Sequence, residues 1–110
     1  MRDYTPDKWL VIKITADKEP LYKVFACWYG GWAGSDSWKM NSGITEVVST
    51  DDYYDFHGWS GSVYRCYKNS YGTNSYGNQV LKNFIDKADF KIEILPENTN
   101  WKELKYDCKV

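Results

Sequence analysis

Three stretches of the chain hold side chains able to recognise a ligand. Trp28-Tyr29-Gly30-Gly31-Trp32 sets three large aromatics beside two glycines, and Ser35-Asp36-Ser37-Trp38-Lys39-Met40-Asn41-Ser42-Gly43 follows with hydroxyls, an amide, an acid and a base. The third, Ser60-Gly61-Ser62-Val63-Tyr64-Arg65-Cys66-Tyr67-Lys68, adds hydroxyls, aromatics and two further cations. Flat aromatic faces stack on planar rings, at roughly 1–3 kcal/mol per nucleobase. Lys and Arg make charge-assisted bonds to phosphate, and glycine lets backbone approach a ligand closely. This is the equipment a purine base and its phosphates require. Trp28, Tyr29, Trp32, Trp38 and Tyr64 are the expected stacking residues. Lys39, Arg65 and Lys68 are the expected phosphate contacts, although Arg65 has the opposite strand parity to Tyr64. Asp36 is the candidate acceptor for a guanine N–H edge, and Ser37, Asn41, Ser42, Ser60 and Ser62 complete the polar contacts.

Catalytic patterns are weak beside this. The one histidine, His57, sits in Tyr54-Asp55-Phe56-His57-Gly58, with no nucleophile elbow nearby, and matches no known triad arrangement. Asp51, Asp52 and Asp55 read as residues solvating a hairpin tip, since Asp favours turns. No Gly-Lys-Ser/Thr follows a glycine loop, and Gly30, Gly31 and Gly34 alone are a poor phosphate cradle. The expectation is a binding protein with no catalytic residue, no metal site and no cofactor. Strand aromatics are also ordinary core residues. Trp9, Phe25, Phe56, Phe84 and Phe90 are assigned to the core, Trp28 and Tyr64 fit either role, and Trp32 and Trp38 fall in a glycine-serine loop, where binding residues concentrate.

The elements that must position these residues are short. Trp9–Thr15 reads as a strand with Leu10, Ile12 and Ile14 on one face, and Asp17–Pro20 as a turn into a second strand, Leu21–Tyr29. The glycine-rich stretch from Gly30 to Asn41 reads as a loop. Strands are expected at Ile44–Ser49, Tyr53–Phe56 and Ser62–Tyr67, with turns at Thr50–Asp52 and Gly58–Gly61. A polar loop over residues 68–77 leads to a helix over 76–88, capped by Asn74 or Ser75, with Val80, Leu81, Phe84, Ile85 and Ala88 as its apolar stripe. Phe90–Leu95 alternates as a last strand, and a turn of helix fits around Trp101 and Leu104. The fold class is α+β: an antiparallel sheet of five to six short strands with one helix from the C-terminal half packed on it.

A chain of 110 residues, 43% of them hydrophobic, is expected to form one domain over 1–110. A net charge of -1 argues against a long nucleic acid partner, which calls for a basic face, but not against a small anion. Cys27, Cys66 and Cys108 are odd in number and lack a C-x-x-C pair, so they read as reduced thiols. The start, Met1-Arg2-Asp3-Tyr4, does not resemble a signal peptide, and no apolar run is long enough to cross a membrane. The cytoplasm is the expected location. All eight glycines fall between residues 30 and 77, and Trp28, Trp32, Trp38 and Trp59 lie in or beside that stretch, so the middle reads as the working part and the ends as scaffold.

Four segments resemble a known family: Tyr22–Gly31, Gly34–Ile44, Ser60–Lys68 and Tyr71-Gly72. The resemblance runs from about Trp9 to Ile94. Its most specific block is Asp36-Ser37-Trp38-Lys39-Met40-Asn41-Ser42-Gly43, supported by Ser60-Gly61-Ser62 with Tyr64. The chain is similar here to the anti-CBASS sponges of tailed phages, which sequester the cyclic nucleotide signal of a bacterial immune system. The resemblance implies binding without cleavage of a cyclic dinucleotide such as 3′,3′-cyclic GMP-AMP. It also implies a homo-oligomer, a tetramer with ligands at subunit contacts, in the host bacterial cytoplasm. Two rival readings use the same aromatics: a carbohydrate-binding module, and an inhibitor that docks on a host protein through a Trp-rich hot spot.

Overall fold

A strand covered on one face alternates apolar and polar residues, whereas a strand covered on both is apolar throughout. Lys8–Thr15 is of the second kind: Trp9, Leu10, Val11 and Ile12 are all buried, and so is the run Val24-Phe25-Ala26-Cys27. These two strands form the middle layer of the molecule. The computed structural model describes residues 3–15, 20–31, 34–104 and 106. Its elements are β1 (Asp3–Tyr4), β2 (Lys8–Thr15), β3 (Leu21–Trp28), β4 (Ser37–Met40), β5 (Ile44–Ser49), β6 (Tyr53–Gly58), β7 (Val63–Tyr67), α1 (Ser75–Lys87) and β8 (Lys91–Ile94), with a single 3-10 turn at Lys68–Ser70.

The fold is α+β with one helix packed on sheet, as expected. Among the described residues the strands number eight and divide between two four-stranded sheets, ordered β1-β7-β6-β5 and β4-β3-β2-β8. The pairings between these strands are antiparallel except β1 with β7. The inner faces of the two sheets enclose one core cluster, with Trp9, Val11, Val24, Ile44, Phe56, Tyr64 and Trp101 at its centre. The outer face of the β4-β3-β2-β8 sheet carries Leu10, Ile12, Phe25, Cys27 and Ile92 against Leu81 of α1. Burying each large side chain contributes about 1.5–3 kcal/mol. The order is therefore sheet, sheet, helix, and the period-two face Leu10-Ile12-Ile14 is the one under the helix.

The β2–β3 hairpin pairs Ile14 with Leu21, while the expected turn residues Asp17, Lys18 and Glu19 lie outside the described residues. At the β5–β6 turn, the Thr50 hydroxyl accepts from the backbone N–H groups of Asp52 (3.2 Å) and Tyr53 (3.1 Å). Asn74 caps α1, its side chain accepting from Gly77 N–H at 2.7 Å. The helix start sits hard on β3: a Cβ at Gly77 would stand 2.3 Å from Cys27 Sγ and 2.2 Å from Thr73 Oγ1. Two core assignments are corrected. Phe84 is 38% exposed and Phe90 40% exposed, because Phe84 flanks a groove on the open side of α1 and Phe90 precedes the edge strand β8. Trp101 is buried in a turn rather than a helix. Among the described residues, no helix is long and apolar enough to cross a membrane.

Candidate functional site

The stretch read as a glycine-rich loop contains β4, an edge strand paired with β3 through Trp28↔Ser37, Cys27↔Trp38, Ala26↔Lys39 and Phe25↔Met40. Period two then decides which way each side chain points. Lys39, opposite Ala26, faces the neighbouring sheet, and Trp38, opposite Cys27, faces the helix. The two residues cannot serve one site.

On the Lys39 side a cleft of about 570 Å³ opens between β4 and the β1–β7 edge of the other sheet. This is within the range of small-molecule sites, about 300–1,000 Å³. Six of the expected residues meet here: Lys39, Asn41, Ser42, Ser60, Ser62 and Tyr64. Tyr4 joins them, and Lys23 and Met40, whose strand parity is that of Trp38, border the cleft at the sheet edge. Tyr4 lies 4.9 Å from Tyr64 between ring centroids, and Lys39 Nζ stands 5.3 Å above the Tyr4 ring. Tyr64 is only 2% exposed, which corrects its role as a stacking face: its parity points it into the core, so it backs Tyr4. Burial, then the neighbouring Tyr4 hydroxyl, pushes the Tyr64 phenol up to about 12, so it stays protonated at neutral pH.

The wall of the cleft is two stitched loops. Ser60 N–H donates to Ser42 Oγ (3.0 Å), Trp59 N–H to Gly43 O (3.2 Å), and the Ser60 and Ser62 hydroxyls are 3.3 Å apart. Gly61, at φ 91°, makes the tight turn that brings Gly61 N–H to Gly58 O at 3.0 Å. Asn41 is 3% exposed and extends the β3–β4 ladder with its side chain: its backbone N–H donates to Val24 O (3.1 Å), and its Oδ1 accepts from Val24 N–H (2.9 Å). Its Nδ2 is buried with no hydrogen-bond partner, a condition that costs about 1–3 kcal/mol unless something answers it.

The charge of the cleft is positive. The ion pairs among the described residues are Arg65–Asp55 (3.0 Å) and Lys91–Glu93 (3.8 Å), so neither Lys23 nor Lys39 is neutralised by a carboxylate there. Lys23 and Tyr4 were missed by sequence reasoning. Lys23 had one available signal, as a lone charge inside the otherwise apolar run from Tyr22 to Trp28.

The other expected residues lie elsewhere. Trp28 is half-buried, and its Nε1 donates to Thr5 O at 3.0 Å, fastening the segment after β1. Tyr29 is exposed, with its backbone N–H on the Asp7 carboxylate at 2.8 Å. Asp36 accepts from Gly30 N–H at 2.9 Å and from Asn74 Nδ2 at 3.4 Å, which ties the β3–β4 connection to the cap of α1. Ser37 is exposed at the start of β4. Arg65 points outward from β7, forked on Asp55 and 4.1 Å over the Tyr53 ring. Lys68 sits 4.9 Å from the centre of the Tyr54 ring. Trp32 lies outside the described residues.

Trp38 stacks on Phe25 (5.5 Å, 22° between planes) and, with Met40, Val80 and Phe84, lines an apolar groove of about 230 Å³ rimmed by Asn83 and Lys87. Cys27 and Cys66 are buried and free, and burial raises both thiols, which leaves them poor nucleophiles; Cys108 lies outside the described residues. Compared with known proteins, the chain matches no family model, no curated protein and no solved structure.

Proposed function

We propose that the chain captures a cyclic dinucleotide in the cleft beside β4 and holds it without cleaving it, acting as a sponge against a bacterial immune signal. The observation that carries this reading is the meeting of the Lys39 ammonium with the Tyr4 ring and a wall of serine hydroxyls in one cleft, where no carboxylate among the described residues pairs with the lysine. A cyclic dinucleotide presents two phosphates and two flat bases, and this set answers both. Sequestration needs affinity and copy number rather than a catalytic group, since free signal falls once tight sites outnumber it. The sequence resemblance supports the same ligand class, and with it a homotetramer in the host cytoplasm.

The test is calorimetric titration with 3′,3′-cyclic GMP-AMP, other cyclic di- and trinucleotides, linear dinucleotides and oligosaccharides, with the ligand recovered after denaturation and chromatographed. Binding of a cyclic dinucleotide, returned intact, is the expected result. Cleaved ligand would replace the sponge with an enzyme, and binding of none of the cyclic nucleotides would overturn the reading. The Trp38 groove favours the second reading, a host-protein partner, because it exposes a large aromatic beside Phe84.

A further inference from the structure

Resting on the cleft being a cyclic-dinucleotide site, we infer that Asn41 selects which base enters it: a base with a keto oxygen, guanine or hypoxanthine, over the amino base adenine. An asparagine free at both ends of its amide reads adenine, donating to N7 and accepting from the N6 amine. Asn41 is not free. Val24 N–H occupies its Oδ1 at 2.9 Å, and the backbone of the same two residues is joined by the 3.1 Å bond from Asn41 N–H to Val24 O, so the amide has one orientation. What remains is Nδ2, a donor with no partner, in a side chain 97% buried at the cleft wall. In one docked pose, a donor fixed in this way is satisfied by a 6-keto oxygen and opposed by the 6-amino group that takes its place in adenine. The space beside it is kept clear by Gly58: a Cβ there would stand 3.3 Å from Asn41 Nδ2 and 3.2 Å from Ser42 Oγ. Nδ2 is closed off from solvent, so a ligand oxygen reaches it only if the 58–62 loop moves outward and releases the Ser60 N–H bond to Ser42.

The experiment compares cyclic di-GMP, cyclic di-IMP and cyclic di-AMP by calorimetry on the full chain and on Asn41→Asp. Aspartate is isosteric and keeps an acceptor for Val24 N–H while removing the donor. The unaltered chain is expected to bind both keto ligands at least about tenfold more tightly than cyclic di-AMP. In Asn41→Asp that ratio is expected to fall to one or reverse. If no cyclic dinucleotide binds the unaltered chain, the function proposed above fails and this inference with it. If all three bind alike, the function stands and the inference is overturned. A folded Asn41→Asp that keeps the keto preference would overturn it equally. Should Asn41→Asp fail to fold, Gly58→Ala decides, since it crowds the amide without altering it: loss of the preference is expected, and its full retention overturns the inference.

Discussion

The two faces of β4 make a comparison within four residues of chain. On one, Lys39 stands above the Tyr4 ring in a cleft of hydroxyls and an amide. On the other, Trp38 stacks on Phe25 and meets the helix across an apolar groove. Neighbours in sequence thus belong to surfaces of opposite chemistry, because a strand sends successive side chains to opposite sides. Grouping Trp38 with Lys39 as one site followed their adjacency, whereas grouping Lys39 with Asn41 follows the strand.

The sharpest way to break this comparison is the variant Lys39→Ala. It is expected to weaken cyclic-dinucleotide binding by about tenfold or more, since a charged hydrogen bond contributes about 1.5–3 kcal/mol. Calorimetry at low salt checks this, and an unchanged melting temperature would show that the loss is local. Equal affinity in this variant would remove the cleft from consideration. Gly77→Ala probes the helix side instead. Its Cβ would collide with Cys27 Sγ and Thr73 Oγ1, so urea denaturation is expected to show a loss of about 1–3 kcal/mol.

Trp38→Ala sets the two faces directly against each other. Trp38 is 40% exposed, so its truncation should cost about 1–2 kcal/mol of stability, below the 3–5 of a fully buried tryptophan. Cleft affinity should stay within about twofold, in the range of an uncoupled site. A tenfold loss would mean that the faces act together. The smallest effect concerns the phenols behind each layer. Tyr64 and Tyr71 are held protonated by burial, up to about 12 against an ordinary value of 10.0. The unfolded chain therefore loses these protons first, and the folded state binds more of them as pH rises. Their contribution is intact below about pH 10 and declines between there and about pH 12. Urea titrations across that window should show a flatter alkaline decline for Tyr64→Phe and Tyr71→Phe than for the unaltered chain.

Much of this architecture was legible in the residues. The strand at 44–49 and the face Leu10-Ile12-Ile14 follow from periodicity, and the helix cap from an Asn placed before an apolar stripe. β4 was not, because Ser37-Trp38-Lys39-Met40 offers only two periods of alternation and is framed by glycine and serine, which signal turns. The second sheet was hidden for a different reason. Strand propensity carries no information on which strands pair, although the unbroken apolar run Trp9–Ile12 did mark a strand covered on both sides. In the cleft, Lys39, Asn41 and the serines were found from side-chain chemistry. Tyr4 was not, because its place depends on the parallel pairing of β1 with β7, a contact between residues sixty positions apart.

The bonds between Asn41 and Val24 also bear on how β4 finds its place. A slip of one residue against β3 would exchange the two faces, delivering Trp38 to the cleft and Lys39 to the groove. Four residues of edge strand hold register weakly, and the glycines upstream impose little. Asn41 adds a peg immediately beyond Met40, engaging Val24 from both its main chain and its side chain. A slipped strand would have to break both bonds while burying an ammonium against Phe25 and Val80. The asparagine therefore acts as an alignment key, favouring one of two threadings that the short strand alone would scarcely distinguish.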